Sequence, residues 1–228
     1  MKTCGVIDLG LTDYGPAWDL QKAVIEARRE GSVLDLLLLT EHPHVYTVGR
    51  GGRDDHLLAD DATLRREGIT VYQTDRGGDI TYHGPGQLVG YPILDLRGFY
   101  LDAHRYLRDL EEVIIRTVAD YGIRAGRNAG LTGVWVGDAK IAAIGVKISR
   151  WITFHGFAFN VNTDLRFFGG IVPCGISGCP VTSLSQLCGQ RIELREVAER
   201  LIPHFGAVFE VQINPITREG FDRVLQKK

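Results

Sequence analysis

The sequence predicts an α+β fold, with a mixed and largely antiparallel sheet flanked by helices. Three observations carry that expectation. Helical and strand-like patterns are interspersed along the chain. The connections between strand patterns are mostly of hairpin length, shorter than the crossovers of about a dozen residues that a parallel sheet requires. A chain of 228 residues, 44% hydrophobic and 24% charged, can bury a proper core without disulfide or metal staples. No low-complexity segment, internal repeat or polar linker divides it, so residues 1–228 are expected to form a single domain.

The elements follow in order. Cys4 lies in an apparent strand. A helix is expected over 16–30, opened by Pro16, stopped at Gly31, with Leu20, Val24 and Ala27 on one face. Val, Ile, Leu and Tyr bounded by Gly, Pro or Asp predict strands at 33–40, 44–48, 69–74 and 87–95, and a short helix fits 60–67. Pro92 points to an edge position for the last strand, because proline cannot donate to a ladder. Over 102–121, Leu107, Leu110, Val113, Ile114, Thr117, Val118 and Tyr121 recur at helical spacing until Gly122. Segments 131–136 and 141–147 read as a hairpin turning near Gly137-Asp138, and 153–161 supplies an adjacent strand. A final helix fits 193–209, with a break expected near Pro203.

Charge and hydropathy exclude several classes. With 26 Lys+Arg against 28 Asp+Glu the formal charge is −2, which lacks the basic footprint of a dedicated nucleic-acid binder. The longest apolar run, Leu36 to Leu39, is far short of the ~20 residues that span a bilayer. The opening residues place Asp8 where a signal peptide is apolar, so a cytoplasmic address is expected. Cysteines at 4, 174, 179 and 188 are too few for a disulfide scaffold and read as free thiols.

Two segments carry chemistry. Arg76-Gly77-Gly78-Asp79-Ile80-Thr81-Tyr82-His83-Gly84-Pro85-Gly86-Gln87 reads as an unusual glycine-rich loop between two strands. Its glycines permit close backbone approach to an anionic or carbonyl-bearing group, with Arg76 and His83 as side-chain contacts; the alternative is a structural turn. It contains neither a phosphate loop nor a dinucleotide fingerprint. In the second segment Cys174 stands between Pro173 and Gly175 on irregular sequence, where a thiol can meet a ligand, and is the nucleophile candidate. Cys4 and Cys188 read as packed residues. The Cys174/Cys179 spacing with His83 or His155 is a poor zinc signature, because no second cysteine pair and no C-x₂-C spacing exist. A thiol near its ordinary pKa of about 8.5 needs a cation or base beside it. Lys140, Lys147, His83 and His155 are the candidates, and local sequence does not choose among them. His42 and His44 read as ordinary loop and strand-edge residues.

Together, Glu41-His42-Pro43 with Val45 to Arg50, Arg76 to Gln87, Lys140 to Gly145, Phe154 to Asn162, and Pro173-Cys174-Gly175 resemble the lipoyl(octanoyl) transferases of lipoate biosynthesis. The resemblance implies the fold of the biotin- and lipoate-protein ligase catalytic domain, and one octanoyltransferase domain over the whole chain. It pairs Lys140 with Cys174 as the catalytic dyad. It also assigns the substrate pocket to Arg76, Gly77, Gly78, Asp79, Ile80, Thr81, Tyr82 and His83, to Ala143, Ile144 and Gly145, and to Gly156, Phe157 and Ala158. The implied reaction moves an octanoyl or lipoyl group from an acyl carrier protein thioester to a lysine of a lipoyl domain, through an acyl-Cys174 intermediate. The implied donor is octanoyl-acyl carrier protein. The implied acceptors are the lipoyl domains of 2-oxoacid dehydrogenase complexes and the glycine cleavage H protein. No cofactor, ATP or metal is implied, and neither nucleic acid nor a membrane is an expected partner. The competing readings are an ATP-dependent lipoate- or biotin-protein ligase of the same fold, which needs no cysteine nucleophile; a cysteine amidotransferase acting between protein lysines; a non-catalytic docking protein for acyl carrier or lipoyl domains; and a thiol redox or zinc-binding protein.

Overall fold

The computed structural model describes residues 2–173 and 178–225, so Cys174 and Gly175 lie outside the described residues. In chain order the elements are β1 (Lys2–Leu11), α1 (Tyr14–Arg29), β2 (Asp35–Glu41), β3 (Val45–Val48), α2 (Asp61–Arg66), β4 (Thr70–Gln73), β5 (Ile80–His83), β6 (Gln87–Ile93), α3 (Ala103–Ala119), β7 (Gly126–Asn128), β8 (Leu131–Val136), β9 (Ala139–Ser149), β10 (Ile152–Asn160), α4 (Leu184–Cys188), α5 (Leu194–Phe209), β11 (Val211–Pro215) and α6 (Arg218–Leu225). They build an eight-stranded sheet of order β11-β1-β2-β6-β10-β9-β8-β7 and a second, three-stranded sheet of order β4-β3-β5. β1 runs parallel to β2 and β11, and β3 parallel to β4; the other pairs are antiparallel. No helix among the described residues is long and apolar enough to cross a membrane.

Strand alternation sends neighbouring side chains of the large sheet to opposite faces. Phe157 and Phe159 of β10 join Leu88 and Ala142 under α3 and α5, in a core that includes Leu110, Ile114, Leu201 and Phe205. Phe154 and Ala158 face the other way, with Val89, Tyr91, Leu36 and Leu38, against Ala17, Val24 and Ile25 of α1. The small sheet closes a third cluster of Tyr46, Ile80, Tyr82 and Phe168.

Four expectations are corrected. α1 starts at Tyr14, so Pro16 sits inside its first turn, where backbone N–H groups have no intrahelical partner to lose. α5 runs through Pro203 without a break. The carbonyl left without its helical donor is that of the exposed Glu199, which water can serve, while Val197, Leu201, Phe205 and Phe209 stay buried on the opposite stripe. β6 is a central strand despite Pro92. Its ladder with β10 covers Gln87 to Gly90, after which contact resumes where the Thr153 N–H donates to the Leu94 carbonyl, and Pro92 lies in the gap between. Last, Ile80 to His83 is not loop but strand β5, paired with Val45 to Val48.

Candidate active site

The site opens where two strands part. β8 pairs with β9 only as far as Val134 opposite Ala142, with a bulge between that pair and Trp135 opposite Lys140. Beyond Ala142, β9 continues paired with β10 to Ser149 and has no β8 partner among the described residues. A cavity of about 320 Å³ lies along this stretch, toward the small end for a ligand pocket.

Small residues form its floor. Ala143 stands opposite Ala158, and Gly145 opposite Gly156, across the β9–β10 ladder. The segment Arg76 to Gly78 crosses above them, held by the Gly77 N–H donating to the Val146 carbonyl at 2.8 Å. The approach favours glycine at 145, since a Cβ there would lie 3.0 Å from the Gly77 oxygen and 3.2 Å from Arg76 Cδ, tighter than ordinary contact. Ile144 and Phe157 alternate to the α3 side, and with Leu107 they line the part of the cavity on that side.

Arg76, only 6% exposed, donates to the Thr47 carbonyl and hydroxyl and from Nη1 to the Gly77 carbonyl at 3.0 Å, which fixes the loop. Asp79 accepts from its neighbour Ile80 N–H and from His56 Nδ1, so its carboxylate anchors the turn. Thr81 and His83 face the cavity. Tyr82 does not: alternation turns it into the small-sheet cluster, where its hydroxyl meets His44 Nδ1 at 2.7 Å and its ring stacks on Phe167. The assignment of Tyr82 to the pocket is therefore a correction, and the cause is the strand that the sequence reading took for loop.

His83 is buried, and its Nδ1–H donates to Gln87 Oε1 at 2.9 Å. Burial, reinforced by the nearby His42 ring and the Arg76 charge, pushes its pKa down to about 3, so the ring is neutral at ordinary pH. From Gln87 a hydrogen-bond chain runs through Asn160 Oδ1 and Asn160 Nδ2 to the Thr182 carbonyl, and the Thr182 N–H donates to the Lys140 carbonyl at 3.0 Å. The Lys140 N–H donates in turn to the Pro180 carbonyl at 2.8 Å. At the other end of the undescribed residues, the Val172 N–H donates to the His56 carbonyl. Pro173 lines the same small hollow as Lys140, Thr81 and Ala158.

Lys140 is 5% exposed, with Nζ 4.8 Å from the Trp135 ring centroid. Of the other candidate bases, His83 faces the same cavity, and His155 and Lys147 are engaged by Asp75. His155, on the positive-φ backbone of β10, bonds through Nε2 to Asp75 Oδ1 at 2.7 Å, and Lys147 donates to Asp75 Oδ2 at 2.6 Å. Burial outweighs the Asp75 contact and pushes the His155 pKa down to about 4. Asp75 is raised by burial but held below the usual carboxylate range on balance by the hydrogen bonds and charges of Lys147 and His155. Val146, opposite His155, is about 20 Å along β9 from Lys140 at ~3.3 Å per residue. His155 thus lines the far end of the cavity from Lys140, while Lys147, held by Asp75, is not among the lining residues.

Sequence reasoning missed Tyr14 and Tyr91, both in the cavity wall. Tyr14 stacks on His83, with ring centroids 5.9 Å apart. It also missed His42, which is fully buried, donating from Nδ1 to the Thr12 carbonyl and accepting from the Tyr91 hydroxyl at Nε2. Two histidines flanking a proline carried a signal of something other than loop, whereas nothing local distinguishes Tyr14 from any aromatic at a helix start.

The comparisons with known proteins agree with this geometry. Residues 13–206 match the lipoyl protein ligase A/B catalytic domain family. An octanoyltransferase of Solibacter usitatus is 54% identical over 215 residues, covering 94% of this chain and 97% of its own. Among solved structures, lipoate-protein ligase A bound with ATP superposes at a TM-score of 0.81 with 16% identity, covering all of this chain and 94% of its own. The biotin protein ligase of Aquifex aeolicus, in complex with biotin and ATP, superposes at 0.54 with 13% identity, covering 92% and 71%. These two establish the fold, and the identity over nearly full length establishes the branch: the chain belongs to the lipoyl protein ligase A/B catalytic domain family and, within it, to the octanoyltransferases.

Proposed function

We propose that this chain takes an octanoyl group from the phosphopantetheine thioester of acyl carrier protein and delivers it to a lysine amine of a lipoyl domain, with Cys174 as nucleophile and Lys140 as its acid–base partner. The observation that supports the pairing is the position of Lys140: a buried lysine at the cavity, in the same hollow as Pro173, which is the residue before Cys174. The segment that follows Cys174 returns to the Lys140 backbone through Pro180 and Thr182.

In this reading the Lys140 ammonium favours the Cys174 thiolate. The thiolate attacks the thioester carbonyl, and collapse of the tetrahedral intermediate breaks the carbon–sulfur bond to the pantetheine, whose sulfur takes a proton from Lys140. The product is octanoyl-Cys174. The acceptor amine then attacks that carbonyl, Cys174 leaves as thiolate, and the amine's proton passes to neutral Lys140, which restores the starting charges. Ala143, Gly145, Gly156 and Ala158 leave a backbone-lined floor for a straight alkyl chain. No step consumes a nucleotide. The acceptors are lipoyl domains of 2-oxoacid dehydrogenase complexes and the glycine cleavage H protein, and the reaction takes place in the cytoplasm.

The test is an intact mass spectrum of the protein mixed with octanoyl-acyl carrier protein in the absence of ATP, followed by hydroxylamine and peptide mapping. A hydroxylamine-labile gain of one octanoyl unit at Cys174 is the expected result. No adduct, with activity only when free acid and ATP are supplied, overturns this chemistry in favour of a ligase. Lys140→Met, which keeps the aliphatic stem against Trp135, should lower transfer by about 10²–10⁴-fold, the range for loss of a general acid–base. Steady-state rates measured at fixed pH would check it, and a variant within a fewfold of the parent would remove Lys140 from the mechanism.

A further inference from the structure

Glu111 of α3 is a carboxylate with no solvent exposure. Burying such a charge is expensive unless hydrogen bonds satisfy it. Oε2 accepts from Arg108 Nη1 at 2.7 Å and from Arg127 Nε at 3.0 Å, two arginines that close the carboxylate off from solvent. Oε1 points inward and accepts the Gly133 N–H at 3.0 Å.

Gly133 is where β8 leaves β9. Its φ is +130°, and the next residue, Val134, still pairs with Ala142. By taking the Gly133 N–H, Glu111 holds away from β9 a donor that could otherwise extend the ladder, and Leu131 and Thr132 stay in the cavity wall. The same glycine touches the lysine: a Cβ at 133 would lie 3.4 and 3.5 Å from Lys140 Cε and Cδ, and 2.7 Å from the Ala142 oxygen. Two residues on, Trp135 sets its ring beneath Nζ. The Lys140 side chain therefore rests on a bed made by the Gly133 backbone and the Trp135 ring, and the carboxylate under Gly133 fixes the height of that bed.

We propose that Glu111 is a positioning residue for acyl transfer, acting on Lys140 through its hydrogen bond to the Gly133 N–H. The proposal rests on the reading that Lys140 serves Cys174. Its lever is reach and not charge, which makes it separable by substitution. Glu111→Asp keeps the charge toward Arg108 and Arg127 but draws the oxygen back from Gly133 by one methylene. Glu111→Gln loses the charge but keeps an acceptor oxygen within reach of Gly133.

The experiment is the pH profile of kcat/KM for octanoyl transfer, with thermal melts to verify folding. Glu111→Asp should move the acid limb upward by about one pH unit, a roughly tenfold loss below the limb. Glu111→Gln should stay near the parent profile. A folded Glu111→Asp with an unshifted limb, or equal shifts for the two variants, overturns the proposal. Should either position-111 variant fail to fold, Gly133→Ala decides: its Cβ would come within 2.7 Å of the Ala142 oxygen at a φ of +130°, which displaces the Gly133 backbone beside the Lys140 stem and should shift the same limb, and an unshifted limb is again fatal. Absence of an octanoyl-Cys174 adduct in the parent protein would instead sink the underlying reading, so the two failures are distinguishable.

Discussion

Serine in place of Cys174 is expected to eliminate the octanoyl adduct and to lower transfer by more than about 10⁴-fold, beyond the ~10²–10⁴ of a lost acid–base group. The reason is the nucleophile's acidity. A lysine ammonium can bring a thiol of pKa near 8.5 into its ionised form at neutral pH, but a serine hydroxyl is far too weak an acid for the same neighbour to ionise. Among the described cysteines, Cys188 packs against the core beneath α3 and α5. Burial and the Asp35 charge push the Cys4 thiol well up, and it lies within the core under α3. Cys179 is partly exposed and five positions from Cys174, so it is the thiol to watch in peptide mapping. An octanoyl group found on Cys179, or a serine variant that keeps its turnover, would overturn the assignment of Cys174.

The parts of the molecule legible in the sequence are those set by local pattern. The helical stripe of α3 declared itself through Leu110, Val113, Ile114, Thr117 and Val118, all buried, and the β8–β9 turn through Gly137-Asp138. Non-local pairing was not legible. Pro92 argues for an edge by a rule that holds only if the ladder is continuous, and nothing in 87–95 announces that β10 skips a bond opposite it. Ile80 to His83 was hidden because glycines and a proline flank four residues whose strand character comes from their partner β3, and with the strand went the side-chain alternation that takes Tyr82 out of the cavity.

The small residues of the cavity floor, Ala143, Gly145, Gly156 and Ala158, were named through the family resemblance, and they line the cavity; their size alone did not single them out. The tyrosines of its wall were not named. Tyr14 and Tyr91 reach it from α1 and β6, elements whose packing against the small sheet depends on the whole topology. Glu111, which the sequence did not single out, is wholly buried; only the fold brings Arg108, Arg127 and Gly133 around it.

The buried histidines give the second large expected effect, a steep loss of stability between about pH 6.5 and pH 4. His42, His83 and His155 are driven chiefly by burial to about 4, about 3 and about 4, from an ordinary 6.5. Above 6.5 the three are neutral in both folded and unfolded chains, so they impose no pH dependence there. Below 6.5 the unfolded chain takes up protons that the folded chain refuses, and stability falls with pH until the folded values are reached. With three groups, the slope near pH 5 approaches three protons, at most about 4 kcal/mol per pH unit. Asp75 acts in a different window. Its depressed carboxyl contributes stability above the ordinary carboxylate range that is lost only as pH falls through its lower folded value, after the histidines have already charged. Urea midpoints at about pH 7.5, 6 and 5 would isolate the histidine effect, since all three lie above the Asp75 window, with the drop expected between the latter values. His42→Gln should remove about one proton's share of the slope, and a parent protein whose midpoint is the same at all three would mean that these rings accept protons in place, with water admitted beside Tyr91 and Gln87.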